Sequence, residues 1–318
     1  MSGVRNECDR TAIIVGSSGQ DGRHLSDLLR KNNYHVVGVS RSDIDITHAA
    51  SVRDLMCDYR PDEIYLLAAC HHSAESSFES DDELFEKSQA IHTTATVHFL
   101  EAIACQLPKA RLFYAASSHI FPDSGQCLLD ESATPAPGSI YAITKYAGML
   151  ACRYYRERRG VFASCGILFN HESSLRAPHF LSRKISIGTA RIARGMSETI
   201  EVGNLDAAVD WGFAPDYVEA MRLILQAETP DDFVVATGIP HTVRDFVEVA
   251  FRCVGLDYRD HVRVRPDLLT KSIETRFGDS GRLRRRIGWS PTVTFAEMVQ
   301  LMVRHELASL PATPDLHR

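Results

Sequence analysis

The chain has 318 residues, of which 44% are hydrophobic and 24% are charged, a balance typical of a folded globular protein. Its net charge of −6 argues against nucleic acid or an anionic membrane as the main partner, and no apolar run approaches the roughly 20 residues that span a bilayer. The eight cysteines are scattered without metal-ligand spacing, which indicates reduced thiols and no metal site. The N-terminus is short and polar, so we expect no signal peptide and a cytoplasmic protein.

Strand and helix patterns alternate through the first half of the chain. From residue 11, "TAIIVGSSGQDGRHLSDLLRKNNYHVVGVSR" predicts a strand, a glycine turn, an amphipathic helix and a second strand. Further helices are predicted in "SVRDLMCDYRP", "ELFEKSQAIHTTATVHFLEAIACQ" and "SIYAITKYAGMLACRYYRERRG", and further strands in "DEIYLLAAC", "ARLFYAASS" and "FASCGILFN". The fold class is therefore α/β, with a doubly wound parallel Rossmann sheet over residues 1–169.

The second half has shorter elements with longer connections. Helices are predicted at "SRKISIGTARIARG", "APDYVEAMRLILQAE", "TVRDFVEVAFRCVG" and "TFAEMVQLMV", and strands at "TIEVG" and "FVVATG". Residues 170–318 are thus expected to form a smaller, mixed α/β substrate-binding lobe. We expect this lobe to be interwoven with the first and to close over the crevice at the strand ends.

A glycine-rich turn between the first strand and the first helix indicates a dinucleotide site. "GSSGQDG" has the spacing GxxGxxG, which lets the backbone approach a pyrophosphate at the N-terminus of a helix. There the free N–H groups and the helix dipole favour an anion. The predicted cofactor site comprises Gly16, Ser18, Gly19, Gln20, Asp21, Gly22, Arg41, Asp45 and Ala68, together with Tyr141 and Lys145.

The end of the second strand bears on the choice of nicotinamide cofactor. An acidic residue there accepts a hydrogen bond from the ribose 2′-OH, whereas an arginine accommodates a 2′-phosphate. Here "GVSRSD" offers Arg41, which favours NADP, with NAD as the alternative. Asp45, just beyond, is a predicted acceptor for the adenine amino group.

The motif "YAITK" places Tyr141 and Lys145 four residues apart at the start of a helix, on one face. A tyrosine with a pKa of about 10 is a poor base at neutral pH. A lysine ammonium and a nicotinamide cation nearby would favour the phenolate, and we expect the pair to lower the pKa of Tyr141. The tyrosine could then take a hydroxyl proton while hydride leaves the same carbon.

The glycine turn, a serine-bearing strand end and this pair together resemble the extended short-chain dehydrogenase/reductase superfamily, over nearly the whole chain. Within it, "GILFNHES", "FLSRKIS" and "VGNLDAAVDWGFAPDYVEAM" are similar to the GDP-mannose 4,6-dehydratase family. The resemblance implies oxidation at C4 of a nucleotide-activated sugar, with a GDP-hexose or GDP-heptose as the substrate. It also implies a homodimer or higher homo-oligomer, formed through the two long helices of the first half.

The same resemblance implies roles for individual residues. Ser118 and Tyr141 would hold the C4 oxygen, and Lys145 would orient the nicotinamide ribose. Two arginines of the family pattern are replaced here by Leu175 and Val209. The implied substrate-binding residues are Ser117, Asn170, Arg176, Arg183 and Lys184.

The strand end "FYAASSHIFPD" departs from the dehydratase pattern. The family has Thr or Ser, one further residue and then Glu, and the Glu supplies the acid/base step that removes water. Aligned on this stretch, these positions are Ser118, His119 and Ile120, and isoleucine cannot move a proton. The dehydratase resemblance therefore does not carry the full chemistry of that family.

"HIFPD" also resembles GDP-fucose synthase, an epimerase and reductase in which a cysteine acid/base stands at the position of His119. His179 aligns with the second acid/base residue of that enzyme. A 4-keto-sugar epimerase/reductase or C4 dehydrogenase using His119 and His179 is therefore an alternative. Both histidines could instead be structural, and His71 and His72 could line the crevice. A catalytically inactive cofactor-binding protein is a second alternative.

Overall fold

The structure, a computed structural model, describes residues 10–70, 80–123, 125, 127–268 and 275–311. A six-stranded sheet forms the centre of the first lobe. Its strands are β1 Thr11–Val15, β2 His35–Val39, β3 Glu63–Leu66, β4 Arg111–Ser117, β6 Phe162–Leu168 and β10 Asp232–Val235, whereas β5 is the short strand Leu128–Leu129. The helices of this half are α1 Gln20–Lys31, α2 Ala49–Tyr59, α3 Asp81–Gln89, α4 Ala95–Gln106 and α5 Ile140–Arg159.

The central sheet is entirely parallel and has the order β10-β6-β4-β3-β1-β2. Apolar side chains of α2, α4 and α5 cover one face, and those of α1 cover the other. This arrangement confirms the predicted α/β class with a doubly wound parallel sheet. Because β1 and β3 lead to helices on opposite faces, a crevice opens at the carboxyl ends of the strands between them.

The second half contributes strands β7 Asn170–Glu172, β8 Ile200–Val202, β9 Ala208–Phe213, β11 Pro240–Thr242, β12 Val262–Val264 and β13 Phe277–Gly278. Its helices are α6 Leu181–Ala193, α7 Ala214–Leu225, α8 Val243–Cys253, α9 Tyr258–His261, α10 Gly281–Ile287 and α11 Phe295–Ser309. Strands β11, β9 and β7 form a small mixed sheet, and α6, α8 and α11 surround a separate apolar core.

The two halves of the chain share elements. Strand β10 pairs with β6 and completes the central sheet, and α7 packs against α1 on one of its faces. These elements bury apolar side chains from both halves of the chain in one hydrophobic core, which supports the crevice. Among the described helices, none is both long and apolar enough to cross a membrane.

Candidate active site

A crevice of about 500 Å³ lies at the carboxyl ends of the central strands. The last residues of four strands line it: Val15 of β1, Val39 of β2, Ser117 of β4 and Leu168 of β6. This is the edge at which doubly wound sheets bind their ligands. Fourteen of the predicted site residues also line it: Gly16, Ser18, Gly19, Gln20, Asp21, Gly22, Arg41, Ala68, Ser117, His119, Tyr141, Lys145, Asn170 and Arg176.

The glycine turn has the geometry that a dinucleotide diphosphate needs. Gly16 has a φ of +93°, and a Cβ there would stand 2.8 Å from the backbone nitrogen of Ala68. A Cβ at Gly22 would stand 2.3 Å from the carbonyl oxygen of Gly16, so the turn lies directly against α1. Gly19 is the N-cap of α1 and provides no side-chain cap, which leaves first-turn N–H groups available to a phosphate.

At the end of β2, Arg41 is exposed on the rim of the crevice. The nearby Asp43 does not line the crevice, and its carboxylate accepts hydrogen bonds from the backbone N–H and the hydroxyl of Ser40 at 2.7 and 2.6 Å. Asp45 does not line the crevice, and its carboxylate accepts from the backbone and hydroxyl of Thr47. The structure therefore brings Arg41 to the site but not Asp45.

Helix α5 presents the tyrosine and lysine together. Its N-cap, Ser139, accepts a hydrogen bond from the backbone of Ala142, which places Tyr141 in the first turn at the crevice wall. Ser117 and Tyr141 both line the crevice, and the nearby Ser117 hydroxyl favours the ionised form of the phenol. Ser118 begins a 3-10 turn, is 5% exposed and does not line the crevice. The hydroxyl beside the phenol is thus that of Ser117, not of Ser118.

The pKa values of the pair differ from the prediction. Burial raises the pKa of Tyr141, and the opposing effects of the Ser117 hydrogen bond and the Arg176 charge do not offset it. Burial lowers the pKa of Lys145 to about 7, and its Nζ donates to the Ala115 carbonyl at 2.8 Å. The protein's own groups therefore do not favour the phenolate, because the lysine is itself desolvated and only partly charged near neutral pH.

His119 lines the crevice beside the tyrosine. Its ring lies edge-on to that of Tyr141, with the centroids 6.0 Å apart, and the residue is exposed. Ile120, at the position of the family carboxylate, is 1% exposed in the apolar core, and its carbonyl accepts from the backbone of Ala136. The end of β4 therefore places the His119 imidazole, and not a carboxylate, beside the Tyr141 phenol.

Three residues predicted from the second half do not line this crevice, although one of them contacts Phe180, which does. His179 is exposed and packs on Phe180, with ring centroids 4.5 Å apart. Arg183 forms an ion pair with Glu306 of α11, and Lys184 is exposed on α6. His71 and His72 lie outside the described residues.

Sequence reasoning overlooked His171, which pairs with Asp21. The His171 Nδ1 lies 2.7 Å from the carbonyl of Phe169, and its Nε2 lies 2.9 Å from the Asp21 carboxylate, so both ring nitrogens donate. Burial opposes charge on both side chains, but their mutual attraction outweighs it, raising the pKa of His171 and lowering that of Asp21. The imidazolium also stacks on Tyr217 at 4.5 Å. The co-occurrence of "GQDG" and "NHES" was the available signal.

We expect His171→Asn to lower the free energy of unfolding by about 3 kcal/mol at about pH 6, because Asp21 would keep a buried charge without its partner. The raised pKa of His171 means that its contribution is full below its ordinary value of 6.5 and is lost as pH rises through the folded value. Asp21, with a lowered pKa, contributes above its ordinary 3.8 and loses that contribution as pH falls through the folded value. Denaturant unfolding measured across pH, with His35→Asn on the exposed surface as the control, checks this window; a loss of stability that does not shrink as pH is raised above 6.5 would contradict it.

A second cavity of about 680 Å³ lies in the second lobe, lined by Gly125, Leu128, Ala208, Gly238, Pro240, His241, Thr242, Thr275 and Phe277. Residues at and after the end of β4 line both cavities: Ser117 and His119 line the first, and Gly125 lines the second. The buried carboxylate of Asp210 holds part of the second wall, because it accepts from the backbone N–H groups of Gly238 and Gly278.

Known proteins resemble the chain over most of its length. The model of the GDP-mannose 4,6-dehydratase family matches residues 42–302. GDP-mannose 4,6 dehydratase 1 of Arabidopsis thaliana is 35% identical, over 94% of this chain and 90% of the relative. GDP-mannose 4,6-dehydratase of Vibrio cholerae serotype O1 is 32% identical, over 94% of each chain.

Solved structures share the fold at lower identity. RMD from Pseudomonas aeruginosa, complexed with NADPH, superimposes with a TM-score of 0.83 at 19% identity, covering 96% of this chain and all of that one. A putative epimerase from Burkholderia cenocepacia superimposes with a TM-score of 0.81 at 24% identity, covering 94% and 98% of the two chains. Family match, relatives and fold agree: the chain belongs to the GDP-mannose 4,6-dehydratase family of sugar-nucleotide enzymes, within the extended short-chain dehydrogenase/reductase superfamily.

Proposed function

We propose that this enzyme oxidises C4 of a GDP-linked hexose or heptose. The observation that carries the proposal is the grouping of Ser117, Tyr141 and Lys145 in the crevice that also contains the glycine turn. Ser117 and Tyr141 would hold the C4 oxygen, and Tyr141 would accept its proton. Lys145 would orient the nicotinamide ribose and, once protonated, favour the phenolate.

The glycine turn and Arg41 support NADP as the cofactor. A bound nicotinamide would accept the hydride from C4. Its positive charge would lower the pKa of Tyr141, which the protein's own groups do not. The first-turn N–H groups of α1 would hold the diphosphate, and Arg41 the 2′-phosphate. NAD is the alternative, since relatives in fold are known with either: RMD with NADPH, and a UDP-glucose 4-epimerase of Thermus thermophilus with NAD.

We expect Arg41→Ser to weaken NADP binding by about 10- to 100-fold, because a charge-assisted contact to phosphate contributes about 1.5–3 kcal/mol. The affinity for NAD should change by less than about threefold. Calorimetric titration with both cofactors checks the ratio. Lys184→Ser, on the exposed face of α6, is the matched control for removing a cation. Equal weakening of both cofactors would contradict a contact to the 2′-phosphate.

For the substrate, we propose that the sugar occupies the crevice beside Tyr141 and that the nucleotide extends into the second cavity. Asn170 and Arg176 line the crevice, and the Arg176 guanidinium lies over the Phe180 ring at 3.7 Å while its Nε lies 3.4 Å from the Glu172 carboxylate. Arg176 would contact the diphosphate. Arg183 does not line the crevice, and its ion pair is with Glu306 of α11.

The step after C4 oxidation depends on which group moves the next proton. A 4,6-dehydratase must remove the C5 proton and protonate the leaving C6 hydroxyl, and the position of the family carboxylate is the buried Ile120. We propose that His119 performs this acid/base work. The two-histidine epimerase alternative has weaker support, since His179 does not line the crevice. An epimerase using His119 alone, or a simple C4 dehydrogenase, would use the same residues for oxidation.

Incubation of the holoenzyme with GDP-mannose tests the proposal directly. A 4-keto-6-deoxy product, detected by mass spectrometry as the loss of one water, would support the dehydratase. A 4-keto product that keeps its C6 hydroxyl, with stoichiometric reduction of the cofactor, would support the dehydrogenase. Cofactor binding without turnover of any GDP-, UDP- or CDP-sugar would instead favour a protein that only binds the cofactor.

We also propose a homodimer formed through α5 and α3. Three apolar side chains lie along one face of α5 and remain exposed, namely Ile143 at 44%, Leu150 at 44% and Tyr154 at 58%, and Phe85 of the adjacent α3 is 41% exposed. Large side chains of this kind in a row mark a protein-binding surface.

Leu150→Arg is expected to shift the protein from dimer to monomer, because it would place a charge at the centre of that apolar face. Light scattering after gel filtration at micromolar concentration measures the mass. Leu301→Arg, which changes a leucine of similar exposure on α11, is the matched control and should leave the mass unchanged. A wild-type protein that is already monomeric would reject the proposed interface.

A further inference from the structure

A π-helical turn interrupts the long helix that packs beside α5. The turn comprises Ala90–Thr94 and connects α3 to α4 without a break in direction. Such single turns insert an extra residue, redirect the side chains and are frequent at functional sites. Here the redirected side chain is that of His92, which is 1% exposed.

The hydrogen bonds of His92 define its protonation state. Its Nε2 lies 2.9 Å from the backbone nitrogen of Cys70, and because that N–H can only donate, Nε2 must accept. The proton is therefore on Nδ1, which lies 2.8 Å from the Thr144 hydroxyl. Thr144 in turn donates to the carbonyls of Ile140 and Tyr141 at 2.9 and 3.2 Å. A neutral imidazole with its proton on Nδ1 fits every one of these partners.

The π-helical turn contacts the face of α5 that carries the reactive pair. The His92 ring lies edge-on to Tyr141, with centroids 5.3 Å apart and an interplanar angle of 86°. The Thr93 hydroxyl donates to the carbonyl of Thr144 at 3.1 Å. A Cβ at Gly148, two turns along α5, would stand 2.4 Å from the His92 carbonyl oxygen, so the two backbones are in direct contact there.

We propose that His92 is a positioning residue for the reaction. As the neutral Nδ1–H tautomer, it bridges Thr144 of α5 to the backbone of Cys70 and packs its ring against Tyr141. Cys70 directly follows the segment 67–69, which lines the crevice floor. His92 thereby sets the distance between that floor and the phenol. This inference rests on the proposed C4 oxidation, but the tautomer is a property of the protein alone.

The consequence for catalysis is geometric. Tyr141 must lie within hydrogen-bond reach of the C4 hydroxyl, and a displacement of about 1 Å can cost about 100-fold in rate. Loss of the His92 bonds removes the side-chain bridge between the start of α5 and the backbone of Cys70, and leaves the Thr93 hydrogen bond, the N-cap and the core contacts. The substrate and the cofactor contact other residues, so their affinities should change little.

Two variants test the bridge. His92→Phe keeps a ring and removes both hydrogen bonds, and Thr144→Val removes one of them from the α5 side. We expect kcat to fall about 100-fold in His92→Phe and about tenfold in Thr144→Val, with the NADP Kd and the substrate KM within about threefold of wild type. His92→Asn, which can still donate to Thr144, should recover part of the loss. His261→Phe, the same substitution outside both cavities, is the control.

Nitrogen-15 NMR of histidine-labelled wild-type protein reads the tautomer without any turnover. The His92 signal is assigned as the one that is lost in His92→Phe or, if that variant does not fold, as the one that Thr144→Val perturbs. We expect this signal to show a protonated Nδ1 and an unprotonated Nε2. A protonated Nε2, or an unchanged kcat in folded His92→Phe or in Thr144→Val, would overturn the proposal. A parallel fall of kcat and bound cofactor would also overturn it, indicating a merely structural role. If wild type turns over no sugar, the proposed function fails, and the tautomer measurement still decides the bridge.

Discussion

Tyr141→Phe is expected to reduce kcat for C4 oxidation by about 10³-fold or more, since it removes both the proton acceptor and a hydrogen bond to the C4 oxygen. The NADP affinity should stay within about threefold of wild type, because the contacts we propose for the diphosphate and the 2′-phosphate are with the glycine turn and Arg41. Single-turnover measurement of cofactor reduction isolates this step from product release. A variant that keeps more than about a tenth of the wild-type rate would exclude the phenol as the base.

The pH dependence adds a second readout of the same residue. Burial raises the pKa of Tyr141, so the phenolate fraction, and with it the oxidation rate, should increase as pH rises through the neutral and alkaline range. Tyr141→Phe should remove that dependence as well as lower the rate. Tyr146→Phe, one turn further along α5 and outside the crevice, is the matched control and should retain both.

Ser117 and Ser118 illustrate what the sequence could not decide. Either hydroxyl follows the apolar part of β4, and side chains alternate between the two faces of a strand only while the strand lasts. The strand ends at Ser117 and a 3-10 turn begins at Ser118, so a shift of one residue in the boundary exchanges their environments. The structure resolves this choice because Ser117 lines the crevice together with Tyr141 of α5, whereas Ser118 does not.

The fold class was predictable because it depends on local patterns. The alternation of apolar strands and amphipathic helices, the glycine turn and the spacing of Tyr141 and Lys145 all lie within short windows. Strand β10 was predicted as a strand, but its pairing with β6 joins segments more than sixty residues apart in the chain, which no local pattern reports. The apolar pattern of the chain thus predicts that a parallel sheet forms, but not which distant strand completes it.

Long-range partners likewise decided which candidate side chains reach the site. Arg183 was predicted as a substrate-binding residue, but it forms an ion pair with Glu306 on the last helix. His92 and His171 were overlooked for the same reason, since their partners Thr144 and Asp21 lie 52 and 150 residues away. The π-helical turn that redirects His92 has an ordinary helical sequence, so the sequence does not distinguish it from an α-helix. The turn is visible only in the structure, where it packs against α5.

His119→Ala provides the sharpest test of the reaction that follows oxidation. We expect the exchange of the C5 proton with deuterated water to fall by about 10²- to 10⁴-fold, the usual contribution of a general acid or base. Oxidation at C4 should persist, because Ser117, Tyr141 and Lys145 remain in place. Reduced cofactor and a 4-keto sugar should then accumulate without loss of water.

The comparison with His179→Ala separates the two histidine hypotheses. His179 is exposed and outside the crevice, so its removal should leave both exchange and product unchanged. Equal losses in the two variants would support the two-histidine epimerase. Retained exchange in His119→Ala would show that another group moves the proton. Since Ile120 is buried in the core, a restored carboxylate would not rescue the variant: Ile120→Glu would be expected to unfold the strand end before it could supply a base.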